Sequence, residues 1–160
     1  MNTLAPLLHD DEIVLDADVD DREKLFAFAA NLLATRHGLD EGEVLRELLA
    51  REKLASTALG HGIAIPHARM KITEPYCAFI RVHHPMPFGA PDGKPVSQFL
   101  FLLVPREANE KHLKLMAAAA GALSDPSVRQ ELRTCGRCEE ARELLGSWEE
   151  APAASGDGGT

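Results

Sequence analysis

The sequence is poor in cations relative to acids, and that shortage excludes two classes of protein. It has 17 Lys and Arg against 25 Asp and Glu, which gives a net charge of −8. Nucleic-acid binders need a basic face that neutralises phosphates, and docking on anionic membranes needs one as well. We therefore expect no nucleic-acid ligand and no docking on anionic membranes, but a protein partner with a cationic face.

Long apolar runs and an even set of cysteines are also missing. No apolar stretch approaches the roughly 20 residues that span a bilayer, which predicts no membrane insertion. The first 15 residues carry acids and no Lys or Arg, so they do not resemble a secretory leader. The three cysteines are an odd number, which is typical of reduced thiols, and we expect a cytoplasmic protein.

What is present is a pattern of helices within a chain of 160 residues, the length of one domain. Apolar residues at i, i+3 and i+4 spacing predict a helix capped by Asp20 or Asp21 and ended by Gly38. A second helix is expected to begin at Asp40 and to end in solvent at residues 51–53. A long helix is predicted from about Asn109 to Leu123, and two shorter ones follow it. The inward positions expected in the long helix are Leu113, Met116, Ala117 and Ala120.

Between these helices the apolar period shortens, which predicts strands. Ile63 to Ile65 forms a short strand stopped by Pro66, and Tyr76 to Val82 forms a longer one. Residues 85–93 hold three prolines and two glycines and predict a loop, with His83 and His84 leading into it. Residues 96–104 are nearly all apolar, as in a central strand covered on both faces. We assign residues 1–150 to a single α/β domain, a central mixed β-sheet flanked by α-helices on both faces, and residues 151–160 to a disordered tail.

Among seven histidines, His67 has the most distinctive context. It follows a short strand and Pro66, which fixes the backbone before the ring. Open α/β sheets form their ligand crevices at strand ends, and Arg69 and Lys71 would favour an anion there. The same local pattern also fits a solvated histidine in a surface turn.

A longer segment favours the functional interpretation. Residues 51–69, REKLASTALGHGIAIPHAR, resemble the phosphorylation-site motif of enzyme IIA components of the bacterial phosphotransferase system. The resemblance is to the mannitol/fructose group, and most closely to its nitrogen-regulatory branch. It covers roughly residues 5 to 145, and Ala58-Leu59 departs from it where Gly-Ile is common. The agreement continues at Pro87-Phe88, at residues 92–96, at the strand FLFLLVP and at Lys111-His112-Leu113.

The resemblance implies a role for each matched residue. His67 would accept a phosphoryl group on Nε2, and His112 would lie beside it and contact the phosphate or orient the ring. Arg51 would neutralise charge at the pocket edge, while Gly60 and Gly62 would let the backbone pass close, with N–H groups directed at the phosphate. A neutral imidazole suits such a nucleophile, because phosphohistidine forms from an unprotonated ring nitrogen.

The resemblance also implies partners. The donor would be a histidine-containing phosphocarrier protein, and the output would be regulatory, through protein targets that the sequence does not identify. The alternative is an enzyme IIA subunit of a fructose- or mannitol-type transport system that passes phosphate to an enzyme IIB. No Walker loop and no acidic metal cluster occur in the sequence, so we expect no cofactor and no metal.

Two further interpretations remain open at this point. His61, His67 and His112 could form a metal site, although no carboxylate or cysteine has a ligand spacing that supports it. Cys135 and Cys138 form a CxxC pair, which could be a redox pair or half a zinc site, or an ordinary pair of thiols at a helix junction.

Overall fold

The computed structural model describes residues 1–107 and 109–150, so the predicted disordered tail lies outside the described residues. Within these residues, six strands and five α-helices follow two short 3-10 helices, Ala5–Leu7 and Asp10–Glu12. In chain order the elements are β1 (Ile13–Ala17), α1 (Arg22–His37), α2 (Glu41–Leu54), β2 (Ala58–Gly60), β3 (Ile63–Ala64), β4 (His67–Met70), β5 (Tyr76–Met86), β6 (Val96–Pro105), α3 (Glu110–Ser124), α4 (Pro126–Thr134) and α5 (Cys138–Ser147).

The strands form one mixed sheet in the order β1-β5-β6-β3-β2, and β4 continues along the same edge of β6 as β3. The pairs β1–β5, β3–β6 and β4–β6 are parallel. The pairs β5–β6 and β2–β3 are antiparallel. The mixed sheet predicted from the sequence is confirmed.

Strand β6 lies at the centre of this sheet and is buried on both faces. Phe99, Phe101 and Leu103 enter the core under α1 and α2, whereas the alternating Leu100 and Leu102 enter the core under α3, α4 and α5. This alternation is the period-2 geometry of a strand between two layers. Helices therefore cover both faces of the sheet, as the apolar run at 96–104 predicts.

Local capping signals define the helix ends as expected. The Asp21 carboxylate accepts a hydrogen bond from the Lys24 amide at 2.7 Å, and that of Asp40 accepts one from the Glu43 amide at 2.9 Å. Gly38 ends α1 with φ of 69°, the left-handed conformation that glycine adopts without a steric penalty.

Two expectations about the strands and α3 are wrong. Strand β5 continues through His83, His84 and Pro85 to residue 86, because its register with β6 shifts after Arg81, and an irregular pairing tolerates a proline. Of the predicted inward residues of α3, Leu113 and Ala117 are exposed, Leu113 by 63%. Met116 and Ala120 are partly buried against the core, and the fully buried α3 residues there are Leu115, Ala119, Ala122 and Leu123.

Candidate functional site

His67 is the first residue of β4, directly after the point where the edge of the sheet changes from β3 to β4. Pro66 has no N–H to donate, but its carbonyl accepts a hydrogen bond from the Leu102 amide at 3.0 Å, which keeps this edge attached to β6. Ala68 and Met70 enter the core under α1 and α2. The half-buried His67 alternates with them and therefore faces the α3 side of the sheet.

The orientation of the His67 ring is set by the backbone just before it. Nδ1 lies 2.7 Å from the carbonyl oxygen of Ile65. A carbonyl only accepts hydrogen bonds, so Nδ1 carries the proton and Nε2 of the neutral ring has a free lone pair. The ring is thus held in the tautomer that a nucleophilic Nε2 requires.

The electrostatic environment favours the neutral form of this ring. Burial lowers the pKa of His67, and the positive charges of Arg51 and Arg69 lower it further. The hydrogen bond to Ile65 and the negative charge of Glu52 act in the opposite direction, and the net shift is downward. His67 is therefore neutral at pH 7, as a phosphoryl acceptor needs to be.

The end of α2 supplies two charges near His67. The half-buried Arg51 donates a hydrogen bond from Nη1 to the carbonyl of Ala55 at 2.9 Å, which anchors one arm of its guanidinium. Glu52, expected in solvent at the sequence level, is 6% exposed. Its two carboxylate oxygens accept hydrogen bonds from the amide and the hydroxyl of Thr57, each at 2.8 Å.

These contacts form a chain that ends at the His67 ring. The carbonyl of Thr57 accepts a hydrogen bond from the amide of Ile65 at 3.1 Å, and the carbonyl of Ile65 accepts the Nδ1 proton of His67. Glu52 therefore holds the segment that orients the ring. Sequence reasoning missed this role, because a glutamate between two cations at a helix end has the pattern of a solvated face.

His112 lies in the first turn of α3 and is buried. Its Nδ1 accepts a hydrogen bond from the amide of Asn109 at 3.2 Å, and the Asn109 side chain accepts one from the His112 amide at 3.2 Å. This is a capping box with histidine in the position usually held by Glu or Gln. Because Nδ1 accepts, the proton of the neutral ring is on Nε2, which makes His112 a donor through that atom.

The residues predicted to accompany His67 lie near β4, the strand that His67 begins, with one exception. His112 lines a cavity of about 630 Å³ together with Met70, at the far end of β4 from His67. No hydrogen bond joins the His67 and His112 rings within the described part of the chain. Arg51 is close enough to influence the pKa of His67.

Gly60 and Gly62 are the exception. They form the turn between β2 and β3 with φ of 92° and 80°, and the carbonyl of Gly62 accepts hydrogen bonds from the amides of Ser97 and Gln98. Five residues of β6 separate Ser97 from Leu102, the partner of His67, a distance of about 16 Å at 3.3 Å per residue. The structure therefore assigns the two glycines to a tight turn and does not bring them to His67.

The other candidate chemistry is dispersed. His61 lies in the same turn as the two glycines, remote from His67, and residues 1–107 and 109–150 contain no group of three His, Cys, Asp or Glu side chains able to hold a metal ion. Cys135 follows α4 and Cys138 begins α5, the predicted helix junction. Both are free thiols; that of Cys135 donates a hydrogen bond to the carbonyl of Leu132, and that of Cys138 donates one to the carbonyl of Ile13.

Of the helices described, none has the length and apolarity to cross a membrane.

Comparisons with known proteins agree with this geometry. Residues 6–148 match the family described as the phosphoenolpyruvate-dependent sugar phosphotransferase system, EIIA 2. A nitrogen regulatory protein of Pseudomonas aeruginosa is 36% identical over 126 residues, which are 78% of this chain and 82% of that protein. A fructose-specific EIIA component of Haloferax volcanii is 32% identical over 134 residues, covering 82% of this chain and 85% of that protein.

Solved structures give the same result. The crystal structure of the nitrogen regulatory protein IIA-Ntr from Neisseria meningitidis superposes with a TM-score of 0.85 at 43% identity, over 89% of this chain and 98% of that one. The mannitol enzyme IIA of Escherichia coli, in complex with phosphorylated enzyme IIB, superposes with a TM-score of 0.75 at 25% identity, over 88% and 98%. The chain therefore belongs to the EIIA 2 family of the sugar phosphotransferase system and is a phosphotransferase component of enzyme IIA type.

Proposed function

We propose that this chain accepts a phosphoryl group on Nε2 of His67 from a histidine-containing phosphocarrier protein in the cytosol. It then either passes the group to another protein or regulates a target protein through its phosphorylation state. The observation that carries the proposal is the 2.7 Å hydrogen bond between Nδ1 of His67 and the Ile65 carbonyl. That bond directs the proton to Nδ1 and leaves the lone pair on Nε2, the nitrogen that would attack phosphorus.

The transfer step balances without an added proton carrier or cofactor. The N–P bond of the donor's phosphohistidine breaks as a bond forms between phosphorus and Nε2 of His67. The donor ring leaves neutral, and His67 takes up the positive charge that the donor ring held, with Nδ1 still protonated. Since reactant and product are chemically alike, the protein's task is in-line positioning and stabilisation of charge on the three equatorial oxygens.

Two side chains are suited to stabilise that charge. Arg51 carries a fixed positive charge beside His67, and its guanidinium has further N–H groups besides the one bound to Ala55. His112 presents Nε2–H as a donor, because its Nδ1 is occupied by the Asn109 amide. In this proposal Arg51 contacts the phosphoryl oxygens directly, and His112 donates to the phosphate once the donor protein has docked.

The docking surface for the phosphocarrier would surround His67. Leu54, at the end of α2 close to Arg51, is 82% exposed, and Leu113, next to His112, is 63% exposed. Exposed leucines beside a charged site favour a transient interface with an apolar centre and a charged rim.

A regulatory output is favoured by the relatives named as nitrogen regulatory proteins, at 36% and 39% identity. Transport is the second candidate, because the fructose-specific component of Haloferax volcanii is 32% identical over a similar length. In the regulatory case the phosphorylated and free forms of the chain bind different protein targets.

One experiment tests the proposal and separates the two outputs. The chain is incubated with phosphoenolpyruvate and the phosphocarrier system, and the phosphorylated product is then mixed with a fructose- or mannitol-type enzyme IIB. Uptake of phosphate with no discharge to enzyme IIB is the result expected for a regulatory protein. Rapid discharge would establish transport, and no uptake at all would refute the proposed function.

A further inference from the structure

A second cavity, of about 670 Å³, lies at the opposite end of the sheet from His67. It is bounded by the sheet, by α4 and by the turn between β2 and β3. Its volume falls in the range of small-molecule sites, roughly 300–1,000 Å³. The phosphotransfer chemistry at His67 makes no use of this cavity.

The floor of this cavity is made by two buried polar side chains that face each other across neighbouring strands. Arg81 of β5 pairs directly with Gln98 of β6, and they are 8% and 2% exposed. Arg81 is well satisfied, because it donates to the carbonyl of Cys135 at 2.6 Å, to the carbonyl of Leu132 at 2.9 Å and to the carboxylate of Asp16 at 3.2 Å.

Gln98 is not satisfied in the same way. Its Oε1 is buried and has no hydrogen-bond partner in the part of the chain that the structure describes. Nearly all buried polar side-chain atoms in proteins have a partner, so a buried acceptor at the floor of a cavity indicates a missing donor. An O–H or N–H group that reached Oε1 from the cavity would supply this missing donor.

The walls of the cavity are cationic, although the chain as a whole has a net charge of −8. Lys94, Arg129 and Arg133 line it, and none of them forms an ion pair within residues 1–107 and 109–150. The lining carboxylate, Asp16, is already paired with Arg81. Lys94 lies near the Asp92 carboxylate, whose pKa it helps to lower, so Arg129 and Arg133 are the main cations that attract an anion into the recess.

We propose that this cavity binds a small organic anion that carries phosphate or carboxylate groups together with a hydroxyl or N–H donor. The anionic groups lie among Lys94, Arg129 and Arg133, and the donor binds Oε1 of Gln98. A small molecule fits better than a protein segment, because the unsatisfied acceptor lies at the buried floor and not on the rim. The site is separate from His67, so this proposal can be tested independently of the phosphotransfer proposal.

The test is a titration of the ¹⁵N-labelled full chain, followed by amide chemical shifts, with three probes. Glucose 6-phosphate and citrate carry both anionic groups and a hydroxyl, whereas sulfate carries charge alone. We expect saturable shifts at Gln98 and along α4, with tighter binding of at least one organic anion than of sulfate. The double variant Arg129→Ala, Arg133→Ala should weaken binding by about tenfold or more, as the loss of charge-assisted contacts predicts.

Matched variants keep the result interpretable. The control Arg46→Ala, Lys114→Ala removes two exposed cations elsewhere and should leave binding unchanged. Gln98→Met, which nearly preserves the side-chain volume, should weaken the binding of the organic anions and leave the binding of sulfate unaffected. If this variant does not fold, the binding measured for the Arg129→Ala, Arg133→Ala variant tests the proposal. Absence of saturable shifts with all three probes, binding that survives loss of both arginines, or equal affinity for sulfate and the organic anions would overturn the proposal.

Discussion

Replacing Glu52 by alanine tests whether the hydrogen-bond chain behind His67 positions the ring. The variant removes both acceptors of Thr57 and leaves its buried amide and hydroxyl without partners. Hydrogen bonds to a charged group contribute about 1.5–3 kcal/mol each, and the desolvation of the carboxylate offsets part of that gain. We therefore expect Glu52→Ala to lower the free energy of unfolding by about 2–4 kcal/mol.

The same change should slow phosphate uptake. Without Glu52 the Thr57 segment loses its anchor, so the Ile65 carbonyl no longer fixes Nδ1 of His67. Misplacement of a reacting group by a fraction of an ångström reduces rates strongly, and we expect a fall of roughly tenfold or more in the transfer rate. Glu52→Gln should recover most of the rate, because an amide can accept from the Thr57 amide and donate to its hydroxyl oxygen.

The first assay is urea unfolding of each variant. The second is phosphate uptake without urea, measured at a temperature at which all variants are folded. Glu47→Ala is the control on the same helix, since Glu47 forms a partly exposed ion pair with Arg106 at 3.8 Å. It should change stability by about 0–1 kcal/mol and leave the transfer rate unaffected. If Glu52→Ala behaved like Glu47→Ala in both assays, the positioning chain described above would be refuted.

Three other changes address the remaining parts of the site. Because the pKa of His67 is lowered below its ordinary value of 6.5, the rate of phosphate uptake should fall at low pH with a midpoint below 6.5; a pH–rate profile with its midpoint at or above 6.5 would contradict the shift. Arg51→Ala should slow transfer at both low and high salt, whereas Arg46→Ala, which removes an exposed cation five residues earlier on α2, should have no such effect; a defect of Arg51→Ala that vanished at high salt would make it only a steering charge. His112→Ala should slow transfer without abolishing uptake in single-turnover experiments, and a complete loss with the fold intact would mean that His112 is an acceptor in its own right.

The parts of the fold that could be predicted are those encoded by local signals. The side chains of Asp21 and Asp40 cap helices by bonding to amides three residues away, so a short stretch of sequence is enough to identify them. The apolar run of β6 shows directly that both faces are covered. His67 is a candidate from the sequence because residues 51–69 as a whole resemble the enzyme IIA motif; Pro66 and the strand before it do not distinguish it from a surface histidine.

The features that could not be predicted depend on contacts between distant segments, or on helix faces that differ little in apolarity. The alanine-rich sequence of α3 offers nearly equal apolar stripes on several faces, so the sequence does not distinguish the exposed Leu113 and Ala117 from the residues that enter the core. The burial of Glu52 depends on how the chain turns back after α2 to place Thr57 over it. The pairing of Arg81 with Gln98 joins two strands across a loop and has no local signature.

The central claim, that His67 carries the phosphoryl group, is tested most directly by phosphorylating wild type and His67→Ala with phosphoenolpyruvate and the phosphocarrier system, and then measuring the label and its chemical stability. We expect wild type to take up one phosphate that is lost in acid and kept in base, as a phosphoramidate is, and His67→Ala to take up none while remaining folded. Label retained by His67→Ala, or an acid-stable label on the nearby Ser56 or Thr57, would contradict the assignment.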